Sequence, residues 1–215
     1  AKNDSIYKSS PQIELMGIFD ATSSLPLIKY GEKYDNYFEP KISFRFNPGD
    51  MKNYADSNRK IGTSNIYSIN RLGLTDTFEA GKSITIGADF KKENINDINK
   101  YFELKLGKVL RAKSNENIPS NSTINKKNSN YFGKITSNLN ENINLNYEFS
   151  LNHALSEIQY NSLGTTITKN NFMTTFNYIE EEGEIGSSNI FENVTTFNFN
   201  EENFFTFRTR ENIEI

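Results

Sequence analysis

The sequence predicts an all-β protein, an antiparallel up-and-down transmembrane β-barrel segment of about ten strands that forms an incomplete barrel. Three observations lead to this prediction. Apolar residues recur at every second position in many separate runs, helical spacing of apolar residues is nearly absent, and short polar turns alternate with long polar loops. Together these features indicate strands with one apolar and one polar face.

The clearest strand pattern runs from Ile143 to Leu151, where apolar residues alternate with Asn, Glu and Ser. At a rise of about 3.3 Å per residue this run covers roughly 27–30 Å, and a tilt of about 40° lets it cross most of an apolar band about 25 Å tall. Further alternating runs, in chain order, are Ile13-Leu15-Gly17-Phe19, Phe38-Pro40-Ile42-Phe44-Phe46, Ile84-Ile86-Ala88-Phe90, Phe102-Leu104-Leu106, Phe172-Thr174-Phe176-Tyr178 and Phe205-Phe207.

The connections between these runs come in two sizes. Short polar turns are predicted at residues 77–82, 139–142 and 200–203, and long polar loops at residues 47–65 and 111–130. Outer-membrane barrels place short turns at one rim and long loops at the other. The two loop sizes therefore favour a barrel.

The composition separates a barrel wall from a soluble sandwich. Hydrophobic residues make up 35% of the chain, yet aromatics reach 13%, with 17 Phe and 11 Tyr. A sandwich of this size would need many aliphatic core residues, and the chain has only Val109 and Val194 as valines. A wide barrel needs no such core, because its polar face lines water and its apolar face meets lipid.

Several other classes of protein are disfavoured. The absence of Cys excludes a disulfide scaffold and a thiolate metal site, and a pI near 5.4 without a basic stripe makes nucleic acid an unexpected partner. No apolar run approaches the roughly 18 residues of a spanning helix. The start at Ala1 has neither Met nor an apolar segment, so no signal peptide is predicted within this chain.

Two motifs suggest enzyme chemistry only superficially. Ala80-Gly81-Lys82-Ser83 resembles the end of a phosphate-binding loop, but Asp76 stands where that pattern needs Gly and a strand follows, so we interpret it as a hairpin turn. His153, the one histidine, is expected at a rim or in a loop. We therefore expect no enzyme activity, no catalytic residues, no cofactor and no metal site.

Two further stretches of the sequence are distinctive. The first is Pro26-Leu27-Ile28-Lys29 followed by Tyr37-Phe38-Glu39-Pro40-Lys41-Ile42, and the second is Arg59-Lys60-Ile61-Gly62-Thr63-Ser64-Asn65 leading into Asn70-Arg71-Leu72-Gly73-Leu74-Thr75-Asp76. Both stretches resemble the barrel domain of the LptD family of lipopolysaccharide-assembly proteins, also called organic solvent tolerance proteins, in which the second stretch resembles a loop and the strand after it. The similarity extends from about Leu25 to Gly107.

The resemblance implies transport of lipopolysaccharide and its insertion into the outer leaflet of the cell outer membrane of Gram-negative bacteria. Its implied partners are lipopolysaccharide, outer-membrane lipid, an LptE-like plug lipoprotein and an LptA-like periplasmic bridge protein. Family members carry a periplasmic N-terminal domain and about two dozen strands. Residues 1–215 are accordingly expected to be a single segment of the barrel, without the N-terminal domain and the terminal strands.

A polar lumen would let a sugar-bearing head group pass while its acyl chains leave sideways. Side chains on the polar faces of the predicted strands are therefore candidates to line such a lumen. These candidates are Lys41, Ser43, Arg45, Asn144, Asn146 and Glu148.

Two alternatives remain open from the sequence. One is a soluble or surface-exposed β-sandwich that binds a ligand or carbohydrate, and the other is a barrel hydrolase that uses His153 as a general base. Plain solvent exposure would also explain the polar faces.

Overall fold

The structure, a computed structural model, describes residues 16–200 and 202–213. Eleven strands form one sheet in this part of the chain, together with a short 3-10 turn at Ser120–Ser122. The strands are β1 Phe19–Ser24, β2 Leu27–Lys29, β3 Tyr34–Asn47, β4 Gly81–Asn94, β5 Asp97–Arg111, β6 Asn128–Asn140, β7 Ile143–Leu151, β8 Ile158–Lys169, β9 Phe172–Glu181, β10 Ser188–Asn198 and β11 Phe204–Asn212. Within the described ranges no helix is long and apolar enough to cross a membrane.

The sheet has the up-and-down order that the sequence predicts. From β3 to β11 every strand pairs antiparallel with the next one along the chain, and β1 and β2 both pair with β3. Over the described residues β1 and β11 do not pair with each other, so the sheet is open. These residues also form one sheet rather than two packed sheets, so the β-sandwich alternative does not describe them.

The connections alternate in size between the two ends of the sheet. Residues 48–80 join β3 to β4 and residues 112–127 join β5 to β6 at one end, which we call the long-loop rim. Turns at residues 95–96, 141–142 and 170–171, and the described residues 199–200 and 202–203 between β10 and β11, lie at the other end, the short-turn rim. The predicted separation of long loops from short turns is confirmed.

Three details of the sequence prediction are wrong. Residues 77–82 are not a short turn but the end of the long β3–β4 connection, and residues 70–76 lie in that connection rather than in a strand. Gly81 begins β4 with a φ of 91°, a left-handed conformation that glycine adopts without strain, so residues 80–83 are a junction between loop and strand instead of a hairpin turn. The predicted alternation at Ile13 and Leu15 lies outside the described residues.

The alternating sequence gives the sheet two chemically different faces. Paired residues in a sheet share a face. Ile42 pairs with Ile86, and this row continues to Leu151 of β7, defining what we call the apolar face. Most of its large side chains are at least one-third exposed, including Phe38, Ile42, Phe44, Ile84, Ile86, Phe102, Leu106, Leu163, Ile167, Phe176, Phe197, Phe205 and Phe207. Lys41 and the residues that pair with it across neighbouring strands lie on the opposite face, which we call the polar face.

The hydrophobic core of the protein lies on the polar face, under the two long loops. Loop residues Ile66, Ile118 and Ile124 are at most 1% exposed, and they pack with Val109 of β5 and Phe132 of β6. The exposed apolar face thus contributes nothing to this core. The two loops were predicted as long polar stretches, and the structure shows that they also bring their own apolar residues onto the sheet.

Candidate functional site

The six residues predicted to line a lumen lie on one face of the sheet. Lys41 pairs with Gly87, and the row continues through Gly107 and Phe132 to Ser150 of β7. The other predicted residues follow at alternate positions of the two strands, so they share this face: Ser43 and Arg45 on β3, and Asn144, Asn146 and Glu148 on β7. Four strand spacings of about 4.8 Å separate the two groups.

The predicted residues do not all have the same surroundings. Ser43 and Arg45 are 3% exposed because the first long loop covers them. Lys41, Asn144, Asn146 and Glu148 are half-buried and lie nearer the short-turn rim. The polar face therefore has a covered part and an open part.

Charged side chains on the open part are paired with one another. Lys41 Nζ lies 2.8 Å from Asp89 Oδ2 and 3.1 Å from Glu39 Oε2, and Lys134 Nζ lies 2.6 Å from Glu148 Oε1. Because positive and negative groups alternate, this surface carries little net charge. It offers hydrogen-bond donors and acceptors to a hydrated ligand without binding a single ion strongly.

Asparagines continue the polar surface toward the short-turn rim. Asn144 donates a hydrogen bond to Asn138, Asn146 donates one to Asn144, and Thr136 Oγ1 donates one of 3.1 Å to Asn146 Oδ1. These hydrogen bonds link the side-chain amide groups in a row across β6 and β7. The linked amides keep this part of the polar face hydrophilic and ordered.

Glu79 fixes the end of the first long loop to the covered part. Its carboxylate accepts two hydrogen bonds from Arg71, of 2.7 and 2.5 Å, and further ones from Arg45 and Arg111. The side chains of all four residues are at most 4% exposed. One buried carboxylate thus joins the loop to β3 and to the end of β5.

The three arginines determine the ionisation of Glu79. Burial acts to raise the pKa of its carboxyl, but the charges of Arg71, Arg111 and Arg45 and the hydrogen bond from Arg71 outweigh burial and lower the pKa below its ordinary value. Arg71 also donates 3.0 Å hydrogen bonds to Thr85 Oγ1 and Ser83 Oγ on the polar face of β4. The loop end is therefore held by charge-assisted bonds.

The two long loops are joined into one unit, which we call the loop cover. Tyr54 donates a backbone hydrogen bond of 2.9 Å to Asn117, and Ser120 donates one of 3.2 Å to Ala55. Asn121 Nδ2 lies 2.6 Å from Asn58 Oδ1. With their shared apolar core, the loops pack as one body.

The loop cover reaches far across the sheet. Lys60 of the first loop forms an ion pair with Glu181 at the end of β9, and Lys126 of the second loop forms one with Glu184. Strand β9 is five positions from β4 in the sheet order. The loop cover thus spans the polar face from β3 to β9 at the long-loop rim.

Two glycines let the loop cover approach the sheet closely. A Cβ on Gly87 would clash with the hydroxyl oxygen of Tyr67 and with the backbone oxygen of Leu106 on β5, and one on Gly107 would lie 3.0 Å from Cδ1 of Ile66. The Tyr67 hydroxyl is buried without a hydrogen-bond partner among the described residues. Burial raises its pKa to about 12, and the nearby Asp89 carboxylate adds to the rise.

A cavity of about 190 Å³ remains beneath the edge of the loop cover. Loop residues 60–65 form one side, and Glu148, Ser150 and Tyr160 on the polar face of β7 and β8 form the other. One of the predicted residues, Glu148, thus lies at the border between the covered and the open part.

The residues that hold the loop cover were not predicted from the sequence. Glu79 and Arg111 lie in stretches interpreted as a polar turn and a polar loop, Arg71 lies in a stretch interpreted as a strand, and nothing local marks them as a cluster. The available signal was the set of isolated apolar residues in the loops, which are Ile61, Ile66, Leu72, Leu74, Ile118 and Ile124. Such residues indicate a loop that packs on something.

The motifs considered for enzyme chemistry are not brought together. His153 lies in the exposed turn at residues 152–157, where it was expected. In the part of the chain that the structure describes, no three acidic or histidine side chains form a group that could hold a metal ion. The described geometry therefore gives the hydrolase alternative no support.

Comparison with known proteins identifies a family. The family model described as LptD, LPS transport system D, matches residues 2–208 of the 215-residue chain. The match covers the loops and strands of the resemblance seen in the sequence and extends beyond them. No curated protein matches the chain.

Proposed function

Since this chain belongs to the LptD family, an outer-membrane component of lipopolysaccharide transport that is not a known family of enzymes, we propose that its strands form part of the wall of a translocation barrel. In this proposal the chain is one segment of the barrel domain in the cell outer membrane. The apolar face meets lipid, and the polar face lines the path of the lipopolysaccharide head group.

The position of the loop cover is the observation that carries the proposal. Both long loops pack on the polar face and leave the apolar face exposed, although that face carries most of the Phe, Ile and Leu side chains of the sheet. A water-soluble sheet would gain free energy by covering its apolar face instead. Exposure of that face is favourable when acyl chains surround it.

The polar face suits a sugar-bearing ligand. Its open part offers paired charges and amide groups, which exchange hydrogen bonds with hydroxyl and phosphate groups at a small cost. Lys41, Asn144, Asn146 and Glu148 would contact the moving head group, whereas Ser43 and Arg45 would support the loop cover. A plug lipoprotein and a periplasmic bridge protein are the proposed partners.

Photo-crosslinking from adjacent positions tests this assignment. A photoreactive residue replaces Asn146 on the polar face or its neighbour Leu145 on the apolar face, in the intact protein in living cells. We expect lipopolysaccharide adducts at position 146 that disappear when lipopolysaccharide synthesis is stopped, because they depend on transport. Adducts at position 145 should be mostly phospholipid and should persist.

Two results would contradict the proposal. One is transport-dependent adducts at position 145 with none at position 146. The other is recovery of the protein in the soluble fraction without detergent, together with unchanged lipopolysaccharide on intact cells when the protein is depleted.

A further inference from the structure

The apolar face of β4 is bounded by a lysine at each end. Lys82 and Lys92 lie on this face, ten positions apart, and the residues between them on the same face are Ile84, Ile86, Ala88 and Phe90. Both lysines are exposed. The strand thus presents an apolar run with a positive charge at either border.

The distance between the two lysines matches the thickness of a membrane. Ten positions correspond to roughly 33 Å along a strand, and to about 25 Å along the membrane normal when the strand is tilted by about 40°. This is the height of the apolar band of outer-membrane barrels. The lysines would therefore lie at the two levels where acyl chains give way to head groups.

Each of these lysines lies against an aromatic ring of β3. Lys82 Nζ is 5.1 Å from the centre of the Phe46 ring, and Lys92 Nζ is 4.6 Å from that of Tyr34. Lys33 Nζ approaches the same Tyr34 ring at 5.5 Å. An aromatic ring with a lysine beside it is suited to the border of a bilayer, because the ring and the lysine stem stay in the apolar layer while the ammonium reaches the head groups.

The charges on the two faces are neutralised differently. Lys91, the neighbour of Lys92 on the polar face, forms an ion pair with Glu93, and Lys41 and Lys134 have acidic partners as well. Lys82 and Lys92 form no ion pair with any residue in the described ranges 16–200 and 202–213. The apolar face therefore has unneutralised positive charge at both borders.

From this arrangement we infer that Lys82 and Lys92 bind the phosphate groups of anionic membrane lipids, one lysine in each leaflet. The inference rests on the proposed function, since it requires the apolar face to lie in a bilayer. Lys82 and Lys92 would then mark the two borders of the membrane, and the lipids bound there would carry negatively charged phosphate groups. The lipid contact would hold the sheet at a fixed height in the bilayer.

Fluorescence in bilayers tests the lipid contacts, because residues 1–215 contain no Trp and an introduced Trp is the single reporter within them; any Trp elsewhere in the whole protein is first replaced by Phe. The whole protein carries Phe46→Trp next to Lys82, or Tyr34→Trp next to Lys92, in bilayers of brominated phosphatidylglycerol or brominated phosphatidylcholine. We expect preferential quenching by phosphatidylglycerol. Lys82→Gln or Lys92→Gln should lower that preference about fivefold at its own reporter, as expected for one lysine near an anionic surface.

Lys91→Gln is the matched control, because Lys91 is on the same strand and also lies on an aromatic ring, 4.9 Å from the centre of Tyr101, but on the polar face. It should leave both preferences unchanged. Any of three results would overturn the inference. The first is equal quenching by the two lipids, and the second is an unchanged preference for phosphatidylglycerol in the Lys82 and Lys92 variants. The third is that Lys91→Gln lowers this preference as much as they do.

A third reporter separates this inference from the proposed function. Trp in place of Ile86, near the middle of the apolar run, should be quenched most by bromine placed deep in the acyl chains. If it is quenched and the lysine variants have no effect, the lipid contacts are wrong and the barrel proposal stands. If deep bromine does not quench it, the apolar face is not in the bilayer and both proposals fail.

Discussion

Arg71 and Glu79, both in the loop between β3 and β4, face each other as a two-pronged ion pair with hydrogen bonds of 2.7 and 2.5 Å. The same Arg71 also bonds to Ser83 and Thr85 on β4. The pair therefore closes the loop on itself and fastens it to the sheet. Because the Arg71–Glu79 pair is buried, the attachment of the loop cover to the sheet depends on the Glu79 carboxylate.

Replacing Glu79 with Gln should release the end of the first long loop. The substitution keeps the shape but leaves three buried arginines without their shared carboxylate, and breaking a buried pair in this way costs about 3–5 kcal/mol. We expect rapid tryptic cleavage at Lys52, Arg59 or Lys60 in the folded protein. Glu103→Gln, which removes a half-exposed partner of Lys105, should cost only about 0–1 kcal/mol and leave the cleavage rate unchanged. Equal cleavage of both variants would contradict the assigned role of Glu79.

The attachment of the loop cover should weaken in acid. The folded-state pKa of Glu79 is lowered, so its stabilisation is fully present above the ordinary carboxyl pKa of about 4 and is lost as the pH falls toward the lower folded-state value. Hydrogen exchange of the amides at residues 66–80, measured from pH 7 to pH 3 and corrected for intrinsic rates, should show loss of protection below about pH 4. In Glu79→Gln these amides should have low protection throughout, with little added pH dependence. A protection profile that is the same in both proteins would refute this explanation.

Tyr67 should ionise at unusually high pH. Burial raises its pKa to about 12. In an alkaline titration followed by ultraviolet absorbance, Tyr67→Phe should therefore remove a phase that lies above the ordinary tyrosine pKa of about 10. Because the raised pKa favours the neutral form in the folded state, the contribution of Tyr67 to stability is lost as the pH rises from 10 to about 12. Disappearance of an early phase instead would show that its hydroxyl is accessible to water.

Removing the Tyr67 hydroxyl should leave the protein as stable at neutral pH or make it more stable. The hydroxyl is buried without a hydrogen-bond partner in the part of the chain that the structure describes, and such a group costs about 1–3 kcal/mol. Denaturant unfolding of Tyr67→Phe should give an equal or greater free energy of unfolding. Tyr54→Phe is a suitable comparison, because the Tyr54 hydroxyl donates a hydrogen bond to Asp76, and its loss should be destabilising. A clear loss of stability in Tyr67→Phe would indicate that water or a ligand satisfies the hydroxyl.

A lysine should be tolerated on the polar face and not on the apolar face. Phe176 and Asn177 are neighbours on β9; Phe176 lies on the apolar face, and Asn177 pairs with Gly164 and Glu192 on the polar face. In a bilayer, Phe176→Lys should cost about 2–4 kcal/mol, as charged side chains do near the midplane of a barrel. Asn177→Lys should have little effect. The fraction folded into vesicles, read from the heat-dependent gel shift, measures both, and equal effects would argue against a lipid-facing apolar face.

The strand periodicity was readable from the sequence because it is a local property. The run from Ile143 to Leu151 became β7 with the predicted bounds, and the placement of Lys41 and Asn146 on polar strand faces follows from counting alternate residues. The end of the first long loop was misread for the opposite reason. Residues 70–76 and 77–82 look like a strand and a turn locally, but Arg71 binds side chains of β4, and Glu79 binds arginines of β3 and β5 that are 34 and 32 positions away in sequence.

The amino-acid sequence by itself determined the all-β class, the alternation of apolar and polar faces and the separation of long loops from short turns. Each of these three properties depends only on the spacing of neighbouring residues. Only the tertiary structure decided where the long loops pack and which residues hold them. Two loops distant in sequence combine Ile66, Ile118 and Ile124 into one core, and three arginines converge on Glu79. Such convergence depends on the register of the strands and the path of the chain, and a one-dimensional pattern carries neither.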